Sequence, residues 1–340
     1  MSHRLGVAAL CSFGIALAAC GDEPAAPSGT PERALAEASS LLTTVSGTWR
    51  QQPSIAPARR WPAATVSDKA VVVIGGMIND VTTRRVDAYN VETKTWSRLA
   101  PLPESRMWHN ATTINGKIYV AGGENEAVID GVPTGTPTKT LFVYDPATDT
   151  WSRKADLPTR VQIVRQAGLL GKLYVYEHND NFWRYNPKLD RWTSLPLPPS
   201  QHLDGVMSAV GDKIYLTGGS KYVDRYPYWE YNTELDVYDP ATRTWSVKSP
   251  LPAAYNSSVA ASFHGKLWVA GGESNNYQPV SDLYGYDPLT DTWAAGPSML
   301  RTTMNAAAAW AGGKFFVIGG MNSSNLLQAS SFVEALTTSY

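Results

Sequence analysis

The chain has 340 residues, of which 43% are hydrophobic, 17% charged and 11% aromatic, and its formal net charge is −1. A chain with so little net charge gives no electrostatic reason to expect a nucleic-acid partner or adsorption to an anionic membrane surface. The chain also has 27 Gly and 23 Pro residues. Such a composition is typical of a globular protein with many short strands joined by turns.

The first twenty residues have the features of an export signal. A short basic region at His3-Arg4 precedes the apolar run from Leu5 to Leu17, which is too short for a membrane span. The sequence Leu17-Ala18-Ala19-Cys20, followed by Gly21, resembles a bacterial lipobox. The resemblance implies a signal peptide over residues 1–20 and a lipid on Cys20. Such a lipid would anchor the protein in the cell envelope, in the periplasm or at the outer membrane surface.

The segment after the signal is predicted to be a tether. Residues 21–45 are rich in Pro, Ala and Ser, a composition that favours an extended chain. Thr30 before Pro31 predicts a short helix on this tether, with the threonine as N-cap. Cys11 lies in the predicted signal peptide and Cys20 is the candidate lipidation site, so the domain that follows has no disulfide, thiol nucleophile or cysteine metal ligand.

A unit of strand, glycine pair, strand, turn and strand is clearest between Lys213 and Trp245. Lys213 to Thr217 has β-branched and aromatic side chains in a pattern typical of a strand whose two faces meet different neighbours. Gly218-Gly219 ends this strand, because glycine accepts the positive φ that lets the chain leave a sheet. A second strand over Leu235–Tyr238 leads through the turn Asp239-Pro240 to a third strand at Trp245.

This unit recurs at intervals of roughly 40 to 55 residues, a period typical of four-stranded propeller blades. The glycine pairs are Gly75-Gly76, Gly122-Gly123, Gly218-Gly219, Gly271-Gly272 and Gly319-Gly320. The tryptophans that end the units are Trp96, Trp151, Trp192, Trp245 and Trp293. Each is predicted to pack, with the Tyr before its turn, between neighbouring sheets. One unit departs from the pattern, because Tyr176-Glu177 replaces the glycines. The rim of that blade, where the chain leaves this strand, should therefore differ from the rims of the other blades.

A glycine pair at a strand end, then Tyr-Asp-Pro, then Trp, resembles the kelch repeat, and the resemblance covers nearly all of the chain beyond its N-terminal segment. It implies an all-β protein, with a single kelch β-propeller over residues 46–340. The last unit stops before any Trp, whereas Trp49 precedes the first glycine pair. We therefore predict that an N-terminal strand at Trp49 closes the last blade, which gives a ring of six blades with no open edge.

In an up-and-down blade, the loops after the glycine pairs and the linkers between blades lie on one face, which we call the long-loop face. The tight hairpins lie on the other face. The residues predicted to ring the channel mouth on the long-loop face are Arg59, Arg106, Arg160, His202, Tyr255 and Arg301. The other residues predicted on this face are His109, Glu124, Asn125, Glu126, Tyr226, Tyr228, Trp229 and Tyr277.

Guanidinium groups pair with carboxylates, and aromatic rings pack on sugars, so this set of residues fits an acidic glycan or a peptide. The linker arginines could instead bond neighbouring carbonyls and hold the blades together, and the sequence leaves both roles open. His109, His178, His202 and His264 lack the spacing of metal ligands, and no nucleophile motif is present. We expect neither a metal nor a cofactor.

The function favoured by the sequence is that of a non-catalytic, monomeric propeller that binds a glycan or a protein through the long-loop face. The alternative is a sugar mutarotase, because the chain distantly resembles the bacterial N-acetylneuraminate epimerase, which is also a secreted six-bladed kelch propeller. That resemblance implies Glu124 or His109 as the base, and Arg106 as the group that holds a substrate carboxylate.

Overall fold

The computed structural model describes residues 46–129, 132–177, 181–225, 229–322 and 328–338. The chain divides into two units, residues 1–41 and 42–340, and all of the described residues belong to the second. The predicted signal peptide, the predicted lipidation site Cys20, and the predicted tether and helix lie outside the described residues. Tyr226, Tyr228 and His178 lie outside them as well.

The described residues form strands and turns, without a helix. The first strand is β1 (Gly47–Gln51). Blade 1 contains β2 (Ala63–Ser67), β3 (Ala70–Ile74), β4 (Met77–Ile78), β5 (Val81–Thr82), β6 (Val86–Asn90) and β7 (Thr95–Arg98). Blade 2 contains β8 (Asn110–Ile114), β9 (Lys117–Ala121), β10 (Glu124–Ile129), β11 (Val132–Pro137), β12 (Leu141–Asp145) and β13 (Thr150–Lys154). Blade 3 contains β14 (Val164–Leu169), β15 (Lys172–Glu177), β16 (Asn181–Asn186) and β17 (Arg191–Ser194).

Blade 4 contains β18 (Val206–Val210), β19 (Lys213–Thr217), β20 (Ser220–Tyr222), β21 (Trp229–Tyr231), β22 (Leu235–Asp239) and β23 (Thr244–Lys248). Blade 5 contains β24 (Val259–Phe263), β25 (Lys266–Ala270), β26 (Leu283–Asp287) and β27 (Thr292–Ala295). Blade 6 contains β28 (Ala307–Ala311), β29 (Lys314–Ile318) and β30 (Val333–Thr338), and β1 completes it.

Six four-stranded antiparallel sheets therefore make up the predicted ring, and the six-bladed kelch architecture is confirmed. In blades 1 to 5 the strands of each four-stranded sheet follow one another in chain order from the channel outward, and in blade 6 β28, β29 and β30 do so before β1 takes the outer edge. Successive connections therefore alternate between the two faces. The ribbons β4–β5, β10–β11 and β20–β21 rise from the connections between the second and third strands of blades 1, 2 and 4. These connections belong to the long-loop face.

The N-terminal strand closes the ring as the sequence predicted. Strand β1 pairs antiparallel with β30, and Trp49 lies opposite Leu336. The Trp49 side chain is 6% exposed, and its Nε1 donates a hydrogen bond to the Pro297 carbonyl at 2.8 Å. Because β1 occupies the outer edge of the blade that contains the C-terminal strand, the two ends of the propeller are held in one sheet.

The core consists of apolar layers between adjacent blades. Val71 and Val73 of β3 pack toward blade 6, whereas Val72 and Ile74 of the same strand pack toward blade 2. A second strand therefore needs apolar side chains on both faces, which explains the β-branched run from Val71 to Ile74. Buried clusters of the same kind join the other neighbouring pairs of blades.

The predicted packing of each Tyr with its Trp is confirmed. The ring centroids of Tyr144 and Trp151 are 5.1 Å apart, and the four other pairs lie at 5.0 to 5.2 Å. Trp151 Nε1 also donates to the Ala100 carbonyl of the preceding linker at 2.9 Å. Asp149 accepts bonds from the Ala100 amide at 2.8 Å and from the Tyr144 hydroxyl at 2.6 Å, and these bonds lower the pKa of its carboxyl. Each such Trp thus ties its blade to the previous one.

The glycine pairs allow close approach of the main chain. Gly123 has a φ of +84°, and a Cβ at this position would lie 2.6 Å from the Met107 carbonyl oxygen. In blade 3, where the glycines are replaced, β15 and β16 remain paired as far as Glu177 and Asn181. Blade 3 therefore differs from the other blades at the end of its second strand, where the sequence lacks the glycine pair.

Candidate functional site

Four of the six linker residues predicted at the channel mouth are buried between blades instead. Arg59 and Arg106 are 0% exposed, His202 is 1% exposed and Tyr255 is 6% exposed. The prediction that these side chains ring the mouth is therefore wrong, because each turns away from the channel into its own blade.

Arg106 shows how such a residue connects two blades. Its carbonyl accepts a hydrogen bond from the Gly76 amide of blade 1 at 2.8 Å. Its guanidinium enters blade 2 and donates to the Gly122 carbonyl at 3.1 Å and to Thr140 Oγ1 and Glu104 Oε2, both at 2.8 Å. Burial lowers the pKa of Arg106 to about 10, while the nearby Glu104 opposes the shift. The side chain therefore stays charged near pH 7, and these contacts hold its two terminal nitrogens.

Related contacts occur at the other buried linker positions. Arg59 forms a buried ion pair with Asp87 of β6. The ring nitrogens of His202 lie 3.0 Å from the Gly218 carbonyl oxygen and 3.1 Å from Asp236 Oδ2. The Tyr255 hydroxyl donates to a carboxylate oxygen of Asp282. Of the two roles that the sequence left open, these contacts favour the one in which linker residues hold the blades together.

Arg160 and Arg301 are exposed on the long-loop face. Arg160 donates to the Pro137 carbonyl at 3.1 Å, and the Arg301 guanidinium lies 4.2 Å from the ring centroid of Phe332. The equivalent buried positions in their linkers belong to Val161, whose amide donates to the Thr138 carbonyl, and Thr303, whose hydroxyl donates to the Gly319 carbonyl at 3.3 Å. Linker lengths differ between blades, so counting along the sequence missed these two positions.

The mouth is formed by a different set of residues, each two positions beyond a buried linker residue. This mouth ring consists of Trp61, Trp108, Asp204, Ser257 and Asn305, whose φ angles lie between 53° and 56°. The left-handed conformation is uncommon for residues other than glycine. Main-chain bonds hold it here, since Trp61 N donates to Asn305 O at 3.1 Å, Asn305 N to Ser257 O at 3.0 Å, and Ser257 N to Asp204 O at 3.0 Å. The mouth ring is therefore linked from blade to blade.

Two tryptophans dominate one side of the mouth. The rings of Trp61 and Trp108 meet edge to face, with centroids 5.4 Å apart, and both side chains are half-buried. On the far side, Arg165 donates to Asp204 Oδ1 at 2.9 Å, to the Val164 carbonyl at 3.0 Å and to the Gly205 carbonyl. The mouth encloses a volume of about 100 Å³.

The channel beneath the mouth is lined mainly by small side chains of the innermost strands and has a volume of about 310 Å³. Thr65 and Thr113 are hydrogen-bonded at 3.0 Å between blades 1 and 2. The aromatic and charged groups are thus concentrated at the mouth, and the channel wall beneath offers mostly methyl and hydroxyl groups.

The three residues proposed for an isomerase do not come together at the mouth. His109 lines it, but the residues that line it include neither Arg106 nor Glu124. Burial, together with the charge of Arg106, lowers the pKa of His109 to about 3. The imidazole is therefore neutral near pH 7 and a weak base. Glu124 is 4% exposed, and burial raises the pKa of its carboxyl.

Aromatic side chains of blades 4 and 5 are exposed farther out on the long-loop face. Trp229 is 45% exposed and meets Tyr222 edge to face at 5.6 Å, and Tyr277, which is 62% exposed, meets Tyr231 at 6.3 Å. The Tyr231 hydroxyl donates to Glu273 Oε2 at 3.1 Å. Trp229 and Tyr277 are therefore exposed side chains in the connections between the second and third strands of blades 4 and 5.

Neither metal binding nor a membrane crossing is indicated by the described part of the chain. Within it, no three His, Cys, Asp or Glu side chains are grouped so that they could hold a metal ion. Nor do those residues include a helix with the length and apolar character needed to cross a membrane.

Comparison with known proteins places the fold in a family. The model of the KLHDC2/KLHL20/DRC7 Kelch-repeats domain matches residues 28–219, and the Kelch motif matches residues 204–252 and 254–300. The chain belongs to the kelch-repeat family. The structure titled "Structure of YjhT" superposes on this kelch propeller with a TM-score of 0.68 and 14% sequence identity, covering 85% of this chain and 99% of the other. That likeness concerns the fold alone.

Curated relatives of this kelch chain are distant. The Kelch-like protein terF of Aspergillus terreus is 27% identical over 266 residues, which cover 70% of this chain and 56% of the relative. Kelch-like protein 21 of Homo sapiens is 26% identical over 208 residues, which cover 51% of this chain and 34% of the relative. Beta-scruin of Limulus polyphemus is 25% identical over 222 residues, which cover 61% of this chain and 24% of the relative. The kelch chain thus spans about half or less of these relatives.

Proposed function

We propose that this kelch propeller is a lipid-anchored binding module of a bacterial cell envelope, which takes a glycan or protein ligand on its long-loop face. The observation that carries the proposal is the mouth ring, where two half-buried tryptophans face a hydrogen-bonded Arg165–Asp204 pair across one opening. Small-molecule sites combine apolar surface with a few fixed polar groups in this way.

The rigidity of the mouth supports a binding role. Its main-chain bonds order the side chains before any ligand arrives, so little conformational entropy remains to be lost on association. The exposed Trp229 and Tyr277 extend the same face outward and suit a ligand larger than the mouth itself. Aromatic side chains of this kind are enriched at binding surfaces.

The sequence supports the anchor. A lipid on Cys20 would be followed by the tether of residues 21–45. Such a tether would let the propeller take ligands at a distance from the membrane surface.

Ligand binding is tested with the full-length protein on a glycan array and on a peptide array. The wild type and the Leu289→Ala variant should retain the same ligands, since Leu289 is 95% exposed in an Asp-Pro turn on the opposite face. Trp108→Ala should lose them. Equal loss in both variants, or retention in both, would contradict a ligand site at the mouth.

The anchor is tested by metabolic labelling with radioactive palmitate, followed by membrane fractionation. The wild type should incorporate label and sediment with membranes, while Cys20→Ser should incorporate none and appear in the soluble fraction. Label that persists in Cys20→Ser would rule out this residue as the lipidation site.

A further inference from the structure

We infer that the mouth ring binds one ring of a neutral sugar, with Trp61 and Trp108 as its aromatic platform. This inference rests on the proposed binding function and narrows it, because the sequence had suggested an acidic glycan. The structure removes the reason for an acidic ligand and leaves the groups that a neutral sugar would use.

Of the four arginines expected at the mouth, two are buried in other contacts, and the exposed Arg160 and Arg301 are not among the residues that line the mouth. Arg59 and Arg106 are buried in ties between blades. Arg60, whose guanidinium lies 4.8 Å from the ring centroid of Trp61, pairs with Asp80 at 2.6 Å. A carboxylate ligand would therefore find the nearby guanidinium groups already paired.

The remaining charges disfavour an anion. Arg165 at the mouth is neutralised by Asp204 at 2.9 Å and directs its other bonds to the Val164 and Gly205 carbonyls. Burial is the main cause of the raised pKa of Glu273, and the charge of Asp204 adds to it. Because Asp204 already neutralises Arg165, this pair offers an anionic ligand no net positive charge.

The tryptophan pair supplies the apolar contact that a sugar ring needs. An indole face carries partial negative charge, and the C–H groups on one side of a pyranose ring carry partial positive charge, so the two attract. Both Trp61 and Trp108 are half-buried, which leaves part of each ring open to the mouth. Their edge-to-face arrangement at 67° makes a corner in which a flat ring can sit.

Polar groups suited to hydroxyls line the same opening. Asp204, Asn305, Ser257 and Asn110 supply carboxylate, amide and hydroxyl groups around the mouth. Three of these belong to the mouth ring, whose main-chain bonds fix their positions. A buried site that hydrogen-bonds hydroxyls rejects analogues that lack them, so the arrangement provides specificity as well as contact.

Size and access agree with a single sugar ring. The volume of about 100 Å³ is several times what one water molecule requires, and it is too small for a folded domain. In blade 3 the strands β15 and β16 pair out to Glu177 and Asn181, without the two-stranded ribbon that rises from blades 1, 2 and 4. Among the described residues, no ribbon of this kind rises beside Arg165 of blade 3, so the rest of a longer glycan could leave on that side.

The test is calorimetric titration of the full-length protein with methyl glycosides of glucose, galactose and mannose, and with glucuronate and galacturonate, while tryptophan fluorescence is followed in parallel. At least one neutral glycoside should bind at least tenfold more tightly than its uronate counterpart and should change the fluorescence. Trp108→Ala should weaken this binding at least tenfold, whereas Trp108→Phe should retain most of it.

The variant Asp204→Asn distinguishes a binding role of Asp204 from a structural one. Asp204→Asn removes a carboxylate from the mouth, so it should narrow the difference in affinity between the neutral glycoside and the uronate. Leu289→Ala, which changes an exposed side chain on the opposite face, should leave both affinities unchanged. If Asp204 has only a structural role, Asp204→Asn should lower both affinities by the same factor. That result would overturn the role of Asp204 in charge selection.

The outcomes distinguish this inference from the function on which it rests. Tighter binding of a uronate would overturn the neutral-sugar inference and leave the binding function in place. An absence of binding to all of the glycosides and uronates would also overturn it, and a positive peptide array that depends on Trp108 would then retain the function with a protein ligand. Failure of both arrays would overturn the inference and the proposed function together.

Discussion

Replacement of Trp49 by alanine should open the propeller at the joint between its two ends. Trp49 is 6% exposed and packs in an apolar layer with Phe315, Val317 and Leu336. Truncation of a buried Trp costs about 3 to 5 kcal/mol. The Pro297 carbonyl also loses the hydrogen bond that it accepts from Nε1 at 2.8 Å. With an unfolding entropy of about 2.1 cal/mol/K per residue over about 295 residues, the loss corresponds to a decrease in Tm of about 5 to 8 °C.

The assay is differential scanning calorimetry of the full-length protein, with hydrogen exchange to locate the change. Arg50→Ala is the matched control, because Arg50 is the next residue of β1 and its side chain is exposed. The control should shift the free energy of unfolding by less than about 0.5 kcal/mol. In the Trp49→Ala variant, amides of β30 that pair with β1 should exchange faster.

Two results would refute this reasoning. A Tm of the Trp49→Ala variant equal to that of the Arg50→Ala variant would show that β1 adds nothing to the closure. Faster exchange spread evenly over all six blades, without emphasis on β30, would show that the substitution destabilises the protein without opening this joint.

Three further perturbations test other parts of the structure. Burial raises the pKa of Glu334 from 4.5 to about 7, so the folded state binds this proton more tightly and stability should fall as pH rises from 4.5 to 7. Glu334→Gln should remove that loss and, in thermal melts at pH 8, stabilise the protein by about 3 kcal/mol. A decrease at pH 8 would contradict the assignment. Arg106→Ala should lower the free energy of unfolding, measured in urea, by about 3 to 5 kcal/mol, because a buried charge network is broken. The control Arg160→Ala changes an exposed side chain and should lower it by less than about 0.5 kcal/mol. Equal losses in the two variants would show that the burial of Arg106 does not determine its contribution to stability. Gly123→Ala should lower the free energy of unfolding by about 1 to 3 kcal/mol more than Gly116→Ala. Both glycines have a positive φ, but a Cβ at Gly116 would meet nothing within 4 Å. Equal losses of Tm would mean that backbone strain alone, without the clash at Gly123, determines the loss of stability.

The sequence alone predicted the parts of the fold that depend on local chemistry repeated several times. A glycine pair that leaves a strand at positive φ, an Asp-Pro turn, and a Trp that packs on a Tyr require only neighbouring residues, so each could be recognised in its own segment. The closure at Trp49 was also predictable, since one blade lacked a last strand and an unpaired strand edge is unfavourable.

The roles of the linker side chains were decided only by the tertiary structure. Arg59 and Arg160 occupy similar places in the sequence, yet the first is buried against Asp87 and the second is exposed. A change of one or two residues in linker length alters which side chain enters the blade, and no local pattern records that choice. The buried partners, such as Asp87 and Asp236, were detectable as carboxylates within otherwise apolar strands.

The candidate site shows the same division. Trp61 and Trp108 carry no local signal for the mouth, because tryptophan has no preference for the left-handed conformation that both adopt. That conformation is held by main-chain bonds to neighbouring blades, which form only when the ring is complete. The sequence by itself determined the blades and their closure, because these depend on local turns and apolar periodicity. The tertiary structure decided which side chains line the mouth, because long-range hydrogen bonds orient them.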